Sequence, residues 1–393
     1  MVATGLDRLL AGPGRLAGRR FGLLAHGASV TRELVPAHLA LAAAGFPPER
    51  LFGPEHGYYG VEQDMDPSAD QTDPWSGIPI VSLYGRDERS LVPRAEAFAG
   101  LDLLVVDLQD VGARYYTYAA SAVWAIEAAL GAGLEVWVLD RPNPLGGEVV
   151  EGNLPEPGFE SFVGAFRLPV RHGLTMGEIV RLEARRRGFD ERRLTVIALD
   201  GWSRADLWPE LARPWIAPSP NMPDFATATI YPGMCLIEAT GFSEGRGTTR
   251  PFKLFGAPGI DPPALARALA GLATLGVRAV PTYFRPWHQK HRGEVCGGVE
   301  LVVVAPRRVA GYRLGIEVLA ALARIQGGRL PWRDAPYEFV HDRPALDLLA
   351  GTARLRELLE GGGDPGEWVA SWRADEERFR DERREILIYP EAA

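Results

Sequence analysis

Glu55 and His56 are adjacent residues whose side chains both transfer protons in enzymes, and a glycine stands close on either side of them. They belong to the sequence GPEHG at residues 53–57. Glycine allows the backbone to approach a ligand closely, and carboxyl and imidazole groups are common general acids and bases. We expect both residues to be catalytic, although a turn whose polar side chains only satisfy backbone groups would show the same pattern.

A second acidic motif, SEGRGTTRPF at residues 243–252, places Glu244 and Arg246 among small and flexible residues, shortly after Glu238. A loop of this kind can present a carboxylate or bind an anion. The alternative is a packed irregular turn with a surface ion pair. We expect Glu244 to supply a second acidic group, and Glu238 and Arg246 to contact a substrate.

The elements that position these motifs are predicted by the spacing of apolar residues. Strand-like runs at 21–25, 50–53, 78–83, 101–108 and 134–139 alternate with helical patterns at 33–44, 91–98, 115–130 and 175–187. Nearly continuous apolar runs are typical of strands covered on both faces. The alternation predicts an α/β fold with a Rossmann-like, mostly parallel sheet.

The segments that follow the predicted strands are rich in polar residues. In an open parallel sheet the carboxyl ends of the strands share one edge, and ligands bind there. Seven residues after the fourth and fifth strands are therefore expected to contact the substrate: Asp107, Gln109, Arg114, Tyr116, Asp140, Arg141 and Asn143.

Two long segments lack a helical or strand period, namely 57–77 and 213–259. A loop as long as the first is usually functional or disordered. Regular patterns return afterwards, with helices at 262–273, 311–324, 346–359 and 367–384 and strands at 277–284 and 297–305. We expect two domains, a Rossmann-like domain at 1–215 and a smaller α/β domain at 216–393, with the active-site cleft between them.

Composition excludes several classes of protein. The 393 residues carry a net charge of −8, whereas nucleic-acid binding requires a basic face. No apolar run is long enough to span a membrane. The N-terminal segment lacks the order of a signal peptide, so we expect a cytoplasmic protein, although removal of an export signal would leave the same sequence.

Several cofactor and hydrolase signatures are missing. The chain has no GxGxxG or Walker motif after its first strand and no GxSxG elbow. Its two cysteines, Cys235 and Cys296, are expected to be buried free thiols. His288 and His291 have a spacing that could bind zinc, but basic residues crowd them. We therefore expect neither a cofactor nor a metal.

The motifs together resemble the exo-β-N-acetylmuramidases of the NamZ type, a glycoside hydrolase family of peptidoglycan recycling. The resemblance runs from about residue 20 to the C-terminus. It rests on GPEHG and SEGRGTT, already described, and on six further motifs in family order: SLYG (82–85), DLQDVGARYYTY (107–118), DRPNPLGG (140–147), RHGLTMGE (171–178), PSPNMP (218–223) and YPGMCLIEAT (231–240).

The resemblance implies release of N-acetylmuramic acid from the non-reducing end of peptidoglycan fragments, without a cofactor. It implies a small carbohydrate substrate and leaves the oligomeric state open. Carried onto this chain, the resemblance implies that Glu55, the glutamate of GPEHG, is the catalytic carboxylate, with His56 beside it and Glu244 as the second acidic group.

Glycosidic cleavage usually needs two carboxyl groups, one of which protonates the leaving oxygen. We expect Glu55 to be this general acid, with Glu244, Glu238 or Asp107 as its partner. An arginine can bind the lactyl carboxylate of muramic acid, and the candidates are Arg114, Arg141 and Arg246. Two alternatives stay open: a non-catalytic module that binds cell-wall sugars, and a hydrolase of an amide or phosphate bond.

Overall fold

The computed structural model describes residues 2–391. Its larger sheet has seven strands in the order β3-β4-β2-β1-β5-β6-β7. All neighbouring strands are parallel except β3 and β4, which are antiparallel. The strands are β1 (Phe21–Ala25), β2 (Arg50–Gly53), β3 (Gln71–Thr72), β4 (Pro79–Ser82), β5 (Leu103–Asp107), β6 (Glu135–Leu139) and β7 (Leu194–Ile197).

The predicted parallel sheet is confirmed. Strands β1 and β5 are buried along their whole length, as their continuous apolar runs indicate. Strand β7 was not predicted, because it is a half-exposed edge strand that directly follows the basic residues Arg192 and Arg193. Since β1, β2, β4, β5 and β6 are parallel, the segments that follow them all begin at one edge.

Within the described residues, eleven α-helices surround and extend the sheets. They are α1 (Gly5–Leu10), α2 (Ala37–Ala43), α3 (Tyr118–Gly131), α4 (Met176–Arg187), α5 (Phe225–Met234), α6 (Pro262–Ala268), α7 (Gly311–Ile325), α8 (Ala345–Ala350), α9 (Arg354–Glu360), α10 (Pro365–Ser371) and α11 (Arg373–Arg383).

The helix predictions were most accurate where capping residues in the sequence mark the first and last turns of the helix. Thr175 and Glu178 form a reciprocal capping box at the start of α4, and Gly188 ends it in the left-handed conformation. The helix predicted at 91–98 is wrong, because two short 3₁₀ turns lie there. Pro93 stands between them, and proline cannot continue a helix interior.

The second half of the chain carries a smaller antiparallel sheet of β8 (Leu254–Ala257), β9 (Val277–Phe284) and β10 (Cys296–Val303), with β10 in the middle. The segment 213–259, expected to be irregular, contains both β8 and helix α5. Pro232 lies inside α5 and conceals its helical pattern. Helix α5 packs closely on α7, since a Cβ on Gly233 would lie 2.0 Å from the Gly311 carbonyl oxygen.

The two halves are joined through buried polar contacts. The hydroxyl of Tyr118, at the start of α3, donates to the Pro218 carbonyl at 2.8 Å, and Arg114 donates to the Leu349 carbonyl, also at 2.8 Å. Cys235 and Cys296 are buried and free, as expected. Among residues 2–391, no helix is both long enough and apolar enough to cross a membrane.

Candidate active site

Glu55 lies in a tight turn directly after β2. The Gly57 amide donates to the Pro54 carbonyl at 3.0 Å, and His56 and Gly57 both have left-handed backbones, with φ of 69° and 74°. His56 is a non-glycine residue in this region, a form of strain that concentrates at functional sites. The turn directs Glu55 inward, where its carboxyl is 4% exposed.

The Glu55 carboxyl borders a buried cavity that both halves of the chain enclose. The cavity has a volume of about 30 Å³, close to that of one water molecule. Its lining includes acidic, basic, polar and aromatic side chains from both halves of the chain, among them His56, Asp64, Tyr116, Thr117, Asn221, Tyr231, Glu238, Arg246, Tyr337 and Glu338.

Three of the four buried carboxyl groups that line this cavity lie close together. Oxygen atoms of Glu55, Asp64 and Glu338 all lie within 4.8 Å of one another. Three negative charges at that separation repel one another strongly, so the group cannot be fully ionised. This arrangement provides both protonated and ionised carboxyl groups at one place.

Asp64 is the member of this group that is held ionised. Burial opposes its charge, but Arg246 donates to Asp64 Oδ1 at 3.0 Å and Gln289 donates to Oδ2 at 2.9 Å. These contacts outweigh burial, and the pKa of Asp64 lies below its usual value.

Glu55 and Glu338 are shifted the other way. Burial raises the pKa of Glu55, although His56 and the hydrogen bond from Thr117 Oγ1, 2.6 Å from Glu55 Oε2, partly offset it. Burial, reinforced by the charge of Glu55, raises the pKa of Glu338 well above its usual range, and Tyr84 donates to Glu338 Oε2 at 3.0 Å. Opposite shifts in neighbouring groups are typical of acid–base sites.

Glu338 reaches the cavity from a strained hairpin turn. Tyr337 and Val340 exchange backbone hydrogen bonds, and both residues between them are left-handed, with φ of 47° at Glu338 and 67° at Phe339. That geometry is a type I′ turn, which normally uses Asn-Gly. A buried glutamate with a left-handed backbone costs conformational free energy. Such strain concentrates at functional sites, so it favours a functional role for Glu338.

Arg246 connects the cavity to two further carboxylates. It donates to Glu238 at 2.6 Å and lies 3.4 Å from Glu244. Glu238 lines the cavity and accepts from the Tyr337 hydroxyl at 2.6 Å, and burial raises its pKa to about 7. Glu244 does not line the cavity. It pairs with Lys290 at 2.9 Å, so the structure places it behind Arg246.

Most residues expected at the strand ends have partners outside the cavity. Asp107 and Arg141 form a two-bond ion pair at 2.6 and 2.8 Å. Asp140 accepts from Thr175, Gly177 and Tyr389, and Asn143 bonds to the backbone of Leu145 and Leu174. Arg114 donates to the backbone carbonyls of Asn153, Leu168 and Leu349, and Gln109 to those of Asp110 and Pro142.

The structure therefore brings together only part of the predicted set: Glu55, His56, Tyr116, Glu238 and Arg246 line one cavity. It does not bring Asp107, Gln109, Arg114, Asp140, Arg141, Asn143 or Glu244 to that cavity. A place at the carboxyl edge of the sheet did not distinguish residues that face the cavity from residues that hold the loops.

Asp64 and Glu338 were missed. Asp64 lies in the long loop 57–77, which the sequence marked as functional or disordered without indicating which residue mattered. Glu338 lies between two predicted helices, in a segment without a recognised motif. The residue type alone carried a signal in both cases, but acidic residues are too frequent for that signal to be specific.

Of the two histidines at this spacing, His291 contacts the backbone. His291 Nε2 lies 2.8 Å from the Gly241 carbonyl, within hydrogen-bond distance. Within residues 2–391, the group of potential metal ligands close enough to share an ion is Glu55, Asp64 and Glu338. Arg246 already offsets the charge of Asp64, which reduces the attraction of this group for a cation.

Comparisons with known proteins find relatives for both halves of the chain. The N-terminal model of the exo-β-N-acetylmuramidase NamZ family matches residues 21–226, and the C-terminal model matches residues 229–389. The peptidoglycan β-N-acetylmuramidase NamZ of Bacillus subtilis is 35% identical over 99% of this chain and 91% of its own length.

Two solved structures of DUF1343 family proteins from Bacteroides fragilis have the same fold. One is 29% identical with a TM-score of 0.87 over 99% of both chains, and the other is 26% identical with a TM-score of 0.76 over the full length of both chains. Both family models and the full-length relative lead to one conclusion: the chain belongs to the NamZ exo-β-N-acetylmuramidase family.

Proposed function

We propose that this protein is an exo-acting glycoside hydrolase that releases N-acetylmuramic acid from the non-reducing end of peptidoglycan fragments. Family membership and the name of the B. subtilis relative support the substrate class. The observation that carries the chemistry is the group of three buried carboxyls, Glu55, Asp64 and Glu338, whose oxygens lie within 4.8 Å of one another.

Glu55 acts as the general acid in this proposal. Its raised pKa keeps a proton available for the glycosidic oxygen. Asp64 is the ionised partner, because Arg246 and Gln289 hold its charge. Glu338 is protonated and adds no negative charge beside Glu55, so the charge that faces the oxocarbenium-like state comes from Asp64.

The short separation of the carboxyls favours a retaining reaction. Retaining glycosidases place their two carboxyl groups about 5 Å apart, whereas inverting enzymes need roughly 6.5–9.5 Å to admit a water. Glu55 protonates the leaving oxygen while Asp64 attacks the anomeric carbon and the glycosidic bond breaks. Glu55 then takes a proton from water, whose oxygen displaces Asp64 and releases the sugar with its original configuration.

The test is turnover of 4-nitrophenyl N-acetylmuramide and of the disaccharide MurNAc–GlcNAc, with the anomer of the first product recorded by NMR. We expect release of β-configured N-acetylmuramic acid. Binding of the sugar without turnover would instead support a sugar-binding module, and cleavage of an amide or phosphate bond alone would support a different hydrolase.

Three matched carboxyl-to-amide variants test the roles. Glu55→Gln and Asp64→Asn each remove a required proton or charge, and we expect each to lower kcat by about 10²- to 10⁴-fold. Glu338→Gln replaces a protonated carboxyl by an amide of the same shape, so it should keep activity within about tenfold of wild type. A large loss in Glu338→Gln with full activity in Asp64→Asn would exchange their roles.

A further inference from the structure

A larger open groove adjoins the catalytic cavity. It has a volume of about 560 Å³ and shares Asp64 with the cavity. Its other walls come from residues 65–66, 240–241, 288–290 and 332–335, and they include the acidic residues Asp66 and Asp334. A substituent of a sugar bound beside Asp64 therefore has space in this groove.

Arg333 is a cation in this groove that lacks an acidic partner. Among residues 2–391, its guanidinium forms no ion pair with a carboxylate, and its Nε has no hydrogen-bond partner. Its contacts are weak: the Pro336 carbonyl at 3.3 Å and the Met65 sulfur at 3.5 Å. The guanidinium lies 5.5 Å from the centre of the Tyr337 ring, which orients it without neutralising it.

Lys290, the neighbouring cation of the groove, is in the opposite situation. Its ammonium group donates to the Glu244 carboxylate at 2.9 Å and to three backbone carbonyls at 3.1 Å. Such a group has no hydrogen left to offer to a ligand. The unsatisfied positive charge of the groove thus resides on Arg333.

The three arginines that the sequence indicated as carboxylate readers are already engaged. Arg114 donates to three backbone carbonyls, Arg141 is paired with Asp107, and Arg246 is shared among three carboxylates. A substrate carboxylate would have to displace a buried partner from any of them, at high cost.

We propose that Arg333 binds a carboxylate of the substrate in this groove and thereby selects muramic acid over uncharged hexosamines. The inference rests on the proposed function and names a specificity-determining residue for it. The planar guanidinium matches a carboxylate through two parallel hydrogen bonds. That carboxylate belongs either to the lactyl group of the sugar being released or to a muramic acid on the leaving side.

The test compares the free acid and the lactyl amide of 4-nitrophenyl N-acetylmuramide as substrates. We expect the wild type to prefer the acid and Arg333→Gln to lower kcat/KM on the acid by about 10- to 100-fold with little change on the amide. Arg333→Lys should fall between them. The control is Arg329→Gln, which removes an exposed arginine of the same segment.

A second pair of substrates locates the carboxylate. MurNAc–GlcNAc–MurNAc is used with the lactyl group of its reducing-end sugar either free or amidated. If Arg333 binds the lactyl carboxylate of the sugar being released, only amidation of the non-reducing sugar lowers the rate of cleavage. If it reads the leaving side, only amidation at the reducing end matters, and the nitrophenyl pair is cleaved equally.

Arg333 also helps to keep the pKa of Asp64 low. If that were its only role, Arg333→Gln would lower activity equally on the acid and the amide substrates. An equal loss on acid and amide substrates throughout, or no loss at all, would overturn the proposal while leaving the hydrolase intact. If the wild type cleaves no muramide, the proposed function fails. Calorimetric binding of N-acetylmuramic acid and its amide still tests Arg333, since Arg333→Gln must weaken only the acid.

Discussion

Two buried arginines, Arg141 and Arg246, are surrounded by very different amounts of negative charge. Arg141 faces one carboxylate, Asp107, through two hydrogen bonds. Arg246 faces Asp64, Glu238 and Glu244, and the buried carboxyls of Glu55 and Glu338 lie beside Asp64. An arginine paired with a single carboxylate holds loops together. Where buried carboxyl groups outnumber the arginine, some of those carboxyl groups keep a proton that they can transfer.

This contrast shows that residue type and position along the chain do not identify a site by themselves. Both arginines lie in motifs of the same family pattern, and both are buried. What separates them is how completely their neighbours cancel their charge. We therefore expect the Arg141 centre, which consists of Arg141 and Asp107, to stabilise the fold. We expect the Arg246 centre, which consists of Arg246 and the carboxyl groups around it, to take part in catalysis.

The sharpest test of the contrast is Glu55→Gln, made beside the Arg246 centre. We expect kcat on MurNAc–GlcNAc to fall by about 10²- to 10⁴-fold, because the leaving sugar needs a proton. The free energy of unfolding should change little, since the amide has the shape of the protonated carboxyl that it replaces. If Glu55→Gln cleaves MurNAc–GlcNAc, a substrate with a poor leaving group, at a near wild-type rate, then Glu55 is not the general acid.

The complementary change is Asp107→Asn at the Arg141 centre. It leaves a buried guanidinium without its charge partner, and we expect a loss of about 3–5 kcal/mol in the free energy of unfolding, measured by urea titration. Activity per folded molecule should be retained. The control is Asp190→Asn, which disrupts the exposed ion pair with Arg192 and should leave the unfolding curve unchanged.

If Asp107→Asn abolished turnover while leaving stability intact, the contrast between the two arginine centres would be wrong. The same result would return Asp107 to the catalytic group in which the sequence placed it as one candidate partner of Glu55.

Local sequence patterns predicted the larger sheet, but they predicted only part of the set of residues that lines the cavity. Strands such as β1 and β5 are buried on both faces, so their apolar runs specify them directly. Glu55 was found because its motif combines a proton donor with flanking glycines. Glu338 was not, since its nearness to Glu55 arises only when distant segments fold together. The division into domains at 215/216 stays a prediction.

Asp64→Asn tests the electrostatic coupling inside the acidic group. The charge of Asp64 raises the pKa of Glu55, so its removal should lower that pKa. Glu55 then loses its proton at lower pH. We expect the titration of the Glu55 carboxyl, followed by carbon NMR in isotopically labelled protein, to move to lower pH.

The reference for that measurement is Asp66→Asn in the same loop, at a residue outside the cavity lining, which should leave the titration in place. An unchanged Glu55 titration in Asp64→Asn would mean that the two carboxyls do not interact in solution, and the proposed division of their roles would fail.

The smallest expected effect comes from Thr117→Val, which should move Glu55 in the opposite direction. The Thr117 hydroxyl donates to Glu55 Oε2 at 2.6 Å and favours the ionised carboxylate. Valine keeps the shape but cannot donate, so the pKa of Glu55 should rise. Because a general acid works while it holds its proton, the alkaline limb of kcat/KM should shift to higher pH.

Thr117→Ser restores the hydroxyl and should restore the wild-type profile, which separates the hydrogen bond from any packing change. Opposite shifts in Thr117→Val and Asp64→Asn require that Glu55 itself is the titrating acid, because these two neighbours act on it through different forces. A shift of both variants in the same direction would assign the alkaline limb to another group, such as Glu238, whose pKa burial raises to about 7.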